Sequence, residues 1–195
     1  SDTSGLRPDV AYTFTLCAIS RPEKTKLASN KSSLEIMGKT RTPPKPGDLF
    51  RFKTRLLPGL FVFNRVVVYP VVSNDGFLSG SALVFTYDAC SRQPEPDYTL
   101  LRPANLLVRP TFVNRLGWTR GYWETFGNIP ISDADRLESL CFRNDRNSFE
   151  TLRGSPIAEN KIPKDAILSI LGLGNYNVLE ALVVAAVQKR AQNGA

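Results

Sequence analysis

The sequence predicts an α+β domain: an antiparallel, strongly curved sheet or small barrel closed by a C-terminal helix. Three observations carry this. Runs dense in β-branched and aromatic residues recur between Leu49 and Tyr87, parted by turns rich in Gly, Pro, Asn and Asp. The last apolar stretch changes period, with Val178, Leu182 and Ala186 at i, i+4 and Leu179, Val183 and Val187 beside them, which is one broad helical face. A length of 195 residues with 42% hydrophobic content suits one ordered domain with a small appendage.

Residues 10–19 alternate, with Tyr12, Phe14 and Leu16 on one side and Thr13 and Thr15 on the other, as in a half-buried strand. Residues 20–45 are rich in Lys, Ser, Thr and Pro, with an apolar island at Leu34, Ile36 and Met37 and a stiff end at Pro43, Pro44 and Pro46. The division is therefore 1–45, a strand and basic linker, and 46–195, a single β-rich domain. Pro46, Gly47 and Asp48 form a turn into a strand at 49–52. Residues 60–69 and 82–87 supply the next two strands of a meander, with a turn at 73–76. Residues 92–97 are a Pro-broken loop. Residues 106–108 form a strand that Pro110 ends, and 118–126 another, with Gly121 at a bulge. Ser132 caps a helix start carrying Asp133 and Asp135, and Leu140, Cys141 and Phe142 are buried. Asn175 or Asn177 caps the last helix, which runs towards Arg190.

Composition excludes much chemistry. The chain has no histidine, which removes Ser-His-Asp and Cys-His nucleophiles, His-ligated metals and imidazole proton shuttles. Cys17, Cys90 and Cys141 are odd in number and lack a CxxC pair, so neither a zinc site nor a disulfide framework is expected. They read as small buried hydrophobes in a reducing, cytoplasmic setting. No apolar run reaches the roughly 20 residues that span a bilayer, and residues 1–15 lack the order of a signal peptide. An enzyme would have to rely on converging carboxylates, Lys, Tyr or Arg.

The net charge of +7 is concentrated at one end. Residues 1–46 carry eight basic and four acidic side chains, whereas 96–150 balance seven with seven. A solvated basic linker explains this better than a phosphate-tracking face, so nucleic acid is not the expected partner. Eleven arginines and only one lysine lie between Arg51 and Arg146. Arg tolerates partial burial through planar pairing, so Arg65, Arg102, Arg109, Arg115 and Arg120 are expected to meet carboxylates in or beside the fold, or a partner. Phe50, Phe52, Phe61 and Phe63 beside Arg51, Lys53 and Arg65 imitate a base-stacking platform. Strand alternation, however, places the rings on one face and the charges on the other.

Gly172-Leu173-Gly174-Asn175-Tyr176-Asn177 resembles the start of a dinucleotide loop but lacks the third glycine, and no βαβ unit can follow the final helix. No cofactor is implied. Asp133, Asp135 and Glu138 lack the spacing of a calcium loop and read as a solvated first helical turn, able to face a basic partner. The densest segment is residues 114–126, with four aromatics, two arginines, Glu124 and two glycines. It offers much packing and no acid–base set, with Arg115 and Arg120 placed to stack on rings and pair with Glu124.

These residues resemble a bacterial family, immunity protein family twenty-six of polymorphic toxin systems. The resemblance runs over about residues 43–185. It rests on Pro46-Gly47-Asp48-Leu49-Phe50, then Asn64-Arg65-Val66, then Arg115 to Glu124, and Gly172 to Tyr176. Trp123 stands where Phe is expected, and the N-terminal strand and linker have no place in it. The resemblance implies a non-enzymatic protein that blocks a cognate toxin by occlusion, with no catalytic or metal residue to carry over. Residues shared by proteins that bind different toxins should keep the fold, so Arg65, Trp118, Arg120, Tyr122, Trp123 and Glu124 are assigned to architecture. Toxin contacts are sought on Asp133, Asp135, Arg136 and Glu138, which could imitate the phosphates a nuclease binds, and on the loop bearing Arg92 and Asp97. A basic nucleic-acid-binding or regulatory module is the alternative. Strand exchange through the N-terminal segment would suit a homodimer.

Overall fold

The turn at Gly47 (φ +91°) launches the first strand, and the β-branched runs that follow lay down a meander beside it. The computed structural model describes residues 32–73, 76–144, 146 and 148–193. The expected strand at 10–19 and Cys17 lie outside them. Strands β1 (Asp48–Lys53), β2 (Phe61–Val68), β3 (Ala82–Tyr87) and β4 (Leu106–Val113) pair antiparallel in sequence order. Strand β5 (Glu124–Asn128) joins the free side of β1, and β10 (Leu173–Gly174) adds parallel to β4. The resulting order, β10-β4-β3-β2-β1-β5, is an open six-stranded sheet with two edges. A second sheet, β8-β7-β6-β9, is built from β6 (Leu140–Arg143), β7 (Phe149–Glu150), β8 (Pro156–Ile157) and β9 (Ile167–Ile170). Its β6–β9 pair is also parallel. The α+β class is as the sequence predicts; the arrangement is two open mixed sheets.

Pro110 lies inside β4 and does not end it. The register slips there, Val84 facing Thr111 while Thr86 faces Val108, so the residue without an N–H falls in a bulge where no ladder bond is needed. The expected strand over 118–126 begins only at Glu124. Before it, α1 (Leu116–Thr119) makes one helical turn, and Gly121 (φ +84°) reverses the chain.

The four phenylalanines divide between faces. Register sets Phe50 opposite Asn64 and Phe52 opposite Val62, while Phe63 and Phe61 lie opposite Arg51 and Lys53. Each strand keeps its alternation, but the two are offset by one residue, and one residue of offset exchanges faces. Phe50 and Phe52 pack with Val62, Val66, Val84 and the C-terminal helix α2 (Tyr176–Asn193), which contributes Leu179, Val183 and Val184. The opposite face buries Phe63, Val67, Leu83, Phe85, Tyr87 and Phe112 under Leu140 and Phe142 of the small sheet.

Residues 32–45 are tied to the domain. Leu34 is buried and bridges to Thr54, the Glu35 N–H donates to the Lys53 carbonyl (3.0 Å), and the Met37 N–H donates to the Gly121 carbonyl (2.7 Å). Helix α2 is capped by Asn175, whose Oδ1 accepts from the Asn177 and Val178 amides at 2.9 and 3.1 Å. No helix among the described residues is long and apolar enough to cross a membrane.

Candidate functional site

The 114–126 segment folds as an aromatic corner. Trp118 and Trp123 are buried edge to face, centroids 4.7 Å apart, with Phe50 at 4.8 and 5.0 Å from them. Gly117 makes this possible: a β-carbon there would lie 2.1 Å from the Trp123 ring. The Trp118 indole donates to Thr125 Oγ1 at 3.2 Å. Tyr122 packs at a tilt against Tyr176 of α2, centroids 4.8 Å apart, and Arg120 lies over the same ring while donating to its hydroxyl at 2.5 Å. The corner thus clasps the helix to the sheet.

Glu124 meets a different arginine from those expected. Arg51 Nε donates to Glu124 Oε2 at 2.9 Å and its other arm reaches the Pro94 carbonyl, while the guanidinium rests between the Phe61 and Phe126 rings. Arg115 donates to the Arg41 carbonyl at 3.1 Å. Cations and rings do share this face, as a stacking platform requires. Phe63 is nevertheless buried, and the hydrogen-bonding arms of Arg51 are occupied.

Arg65 fulfils the expectation of a buried pair. It forks onto Asp135 at 2.7 and 3.0 Å and donates to the carbonyls of Ile129 and Pro130 at 3.2 and 2.7 Å. Both residues are 3% exposed. Asp135 also accepts from the Ser132 amide at 2.8 Å, closing a capping box on a short 3-10 turn, Asp133–Asp135, where a longer helix was expected. Tyr87 lies beside the pair. Its hydroxyl is buried without a hydrogen bond, and burial pushes its pKa up to about 12 against the partial relief of the Arg65 charge.

The residues expected to face a partner therefore separate. Asp135, expected on an exposed turn, is instead buried inside the fold and committed to Arg65. Arg136 adopts a left-handed backbone (φ 53°) and pairs with Asp165. Asp133 and Glu138 are exposed. Glu138 borders an open groove of about 560 Å³ with Leu137, Leu140, Leu152 and Arg153. Arg92 and Asp97 are exposed on their loop. Asp97 caps the next turn, accepting from the Thr99 amide and hydroxyl at 2.9 and 2.7 Å, which holds its carboxyl below the usual range. Among the described residues no three His, Cys, Asp or Glu side chains gather to hold a metal ion. Burial pushes the Cys90 thiol up to about 11 and raises that of buried Cys141, which suits packing and not nucleophilic attack.

Sequence reasoning missed a second, open groove, where β4 lies against β9, β10 and α2 from a distant part of the chain. The signal available was an excess: α2 carries more apolar residues than one core face needs.

Residues 45–151 match the family described as Immunity protein 26. The chain belongs to this family of immunity proteins. The match takes in the aromatic corner, Arg65 and Asp135, and ends before β9, β10 and α2. Neither a curated protein nor a solved structure matches the chain.

Proposed function

We propose that this protein binds a cognate toxin in the cytoplasm of the cell that makes it and blocks the toxin by occlusion, without catalysis of its own. Family membership carries the reading. The geometry supports it in one respect: the densest polar and aromatic residues, Trp118, Trp123, Arg120, Arg65 and Asp135, are spent on holding the fold. Partner contacts are left to surface groups, among which Asp133 and Glu138 on two successive turns and Arg92 and Asp97 on one loop are exposed.

A pull-down from the native host, with the tagged chain as bait, tests this. A stoichiometric toxin-domain protein released only by denaturant is the expected result. Recovery of nucleic acid that is lost as salt rises would instead favour the alternative module. Reversing the charge of Asp133 and Glu138 together should weaken toxin binding at least tenfold; unchanged affinity would remove those turns from the interface.

A further inference from the structure

The apolar surplus of α2 has a destination. Its core contacts are made by Tyr176, Leu179, Val183 and Val184, with Ala186 and Val187 packed beside them, yet Val178 is 45% exposed. Val178 and Leu182 form one wall of an open groove of about 210 Å³ beside β10. Ile170 of β9, 38% exposed, and Leu173 border it, and Leu168, two residues before Ile170 and 51% exposed, continues the same side of β9. Arg109 of β4 lines the groove too. It forms no ion pair among the described residues, and both burial and the neighbouring Arg143 charge disfavour its ionised form.

Building on the toxin-binding reading, we propose that this groove receives a segment of the toxin that presents an aliphatic or aromatic side chain flanked by a carboxylate, with Arg109 taking the carboxylate. The volume suits one such side chain. A carboxylate would form a charge-assisted bond with Arg109 in a partly desolvated site, where Arg is a frequent anchor. A phosphate backbone could meet Arg109 but would leave Ile170 and Val178 against a charged strand, so a protein segment fits better. The walls from β9, β10 and α2 lie beyond residues 45–151, the part of the chain that the family match covers.

The test uses the full chain and the toxin domain captured by the pull-down. Arg109→Glu and Val178→Asp each alter an exposed residue, and the latter adds an acid in the first turn of a helix, where it is tolerated. Each should lower toxin affinity at least tenfold with the unfolding midpoint unchanged. Toxin binding unaffected by both variants overturns the groove while leaving the toxin-binding reading intact. Absence of toxin binding by the unaltered chain removes both. A second arm uses two synthetic peptides, one alternating Leu with Glu and one alternating Leu with Lys, followed by amide shifts in the labelled chain. The acidic peptide should move Ile170, Leu173 and Val178, and Arg109→Glu should reverse the preference. Shifts produced equally by both peptides, or by a single-stranded oligonucleotide in their place, overturn the proposal.

Discussion

The two faces of the six-stranded sheet are closed by different means. On the face of Phe50 and Phe52, a helix and two tryptophans fit together by shape, and the tolerance is set by a missing atom at Gly117. On the face of Phe63 and Phe85, loops and a small sheet close over a buried ion pair, and the tolerance is set by charge balance at Arg65 and Asp135. Shape closure fails when something is added. Charge closure fails when one partner is removed. The same sheet therefore has two distinct weaknesses, and substitutions can tell them apart.

The largest effect is expected from Asp135→Ala, which strands a buried guanidinium and should cost about 3–5 kcal/mol in urea unfolding. Arg65→Met combined with Asp135→Leu should recover most of that loss, because no charge is then left unpaired. A double variant as unstable as the single one would show that the pair does more than neutralise itself. Gly117→Ala comes next. In an open helical turn the change would gain up to about 1 kcal/mol. Here the new methyl meets the Trp123 ring, and a loss of about 3 kcal/mol is expected from overpacking. A gain would mean that the corner is looser than its geometry indicates.

Alkaline titration separates the faces further. The Tyr87 pKa rises from 10.0 to about 12 in the folded chain, so the folded state holds a proton that the unfolded state has lost. Its contribution is complete below pH 10 and is lost as pH rises through about 12, a decline of about 2–3 kcal/mol. Tyr87→Phe should flatten that part of the curve and cost little at neutral pH, since the hydroxyl has no partner to lose. The smallest effect is expected at the rim. Glu124→Gln weakens a half-exposed pair with Arg51 and should change stability by less than about 1 kcal/mol, readable as a small midpoint shift that salt diminishes.

The strands β1 to β3, the final helix and the burial of Leu140 to Phe142 were legible because each follows from local period and turn chemistry. The turn beginning at Ser132 was legible for the same reason, but the role of the acid that accepts from its amide was not. Asp135 reads as an exposed first-turn carboxylate until β2 brings Arg65 against it from 70 residues away. Glu124 likewise had two arginines within ten residues and took Arg51 from the neighbouring strand. Local proximity cannot rank partners when register supplies a closer one. The groove was hidden by the same limit, since β4 and α2 line it from separate parts of the chain.

By itself the sequence determined strands β1 to β3, the final helix, the absence of imidazole chemistry and the kinship of its aromatic segment, since these depend on residue type and short spacing. Tertiary structure decided which phenylalanines share a face with which charges, which carboxylate is buried and where surplus apolar surface gathers. Those outcomes turn on strand register, in which one residue of offset exchanges the two faces, and the period within either strand does not reveal that offset.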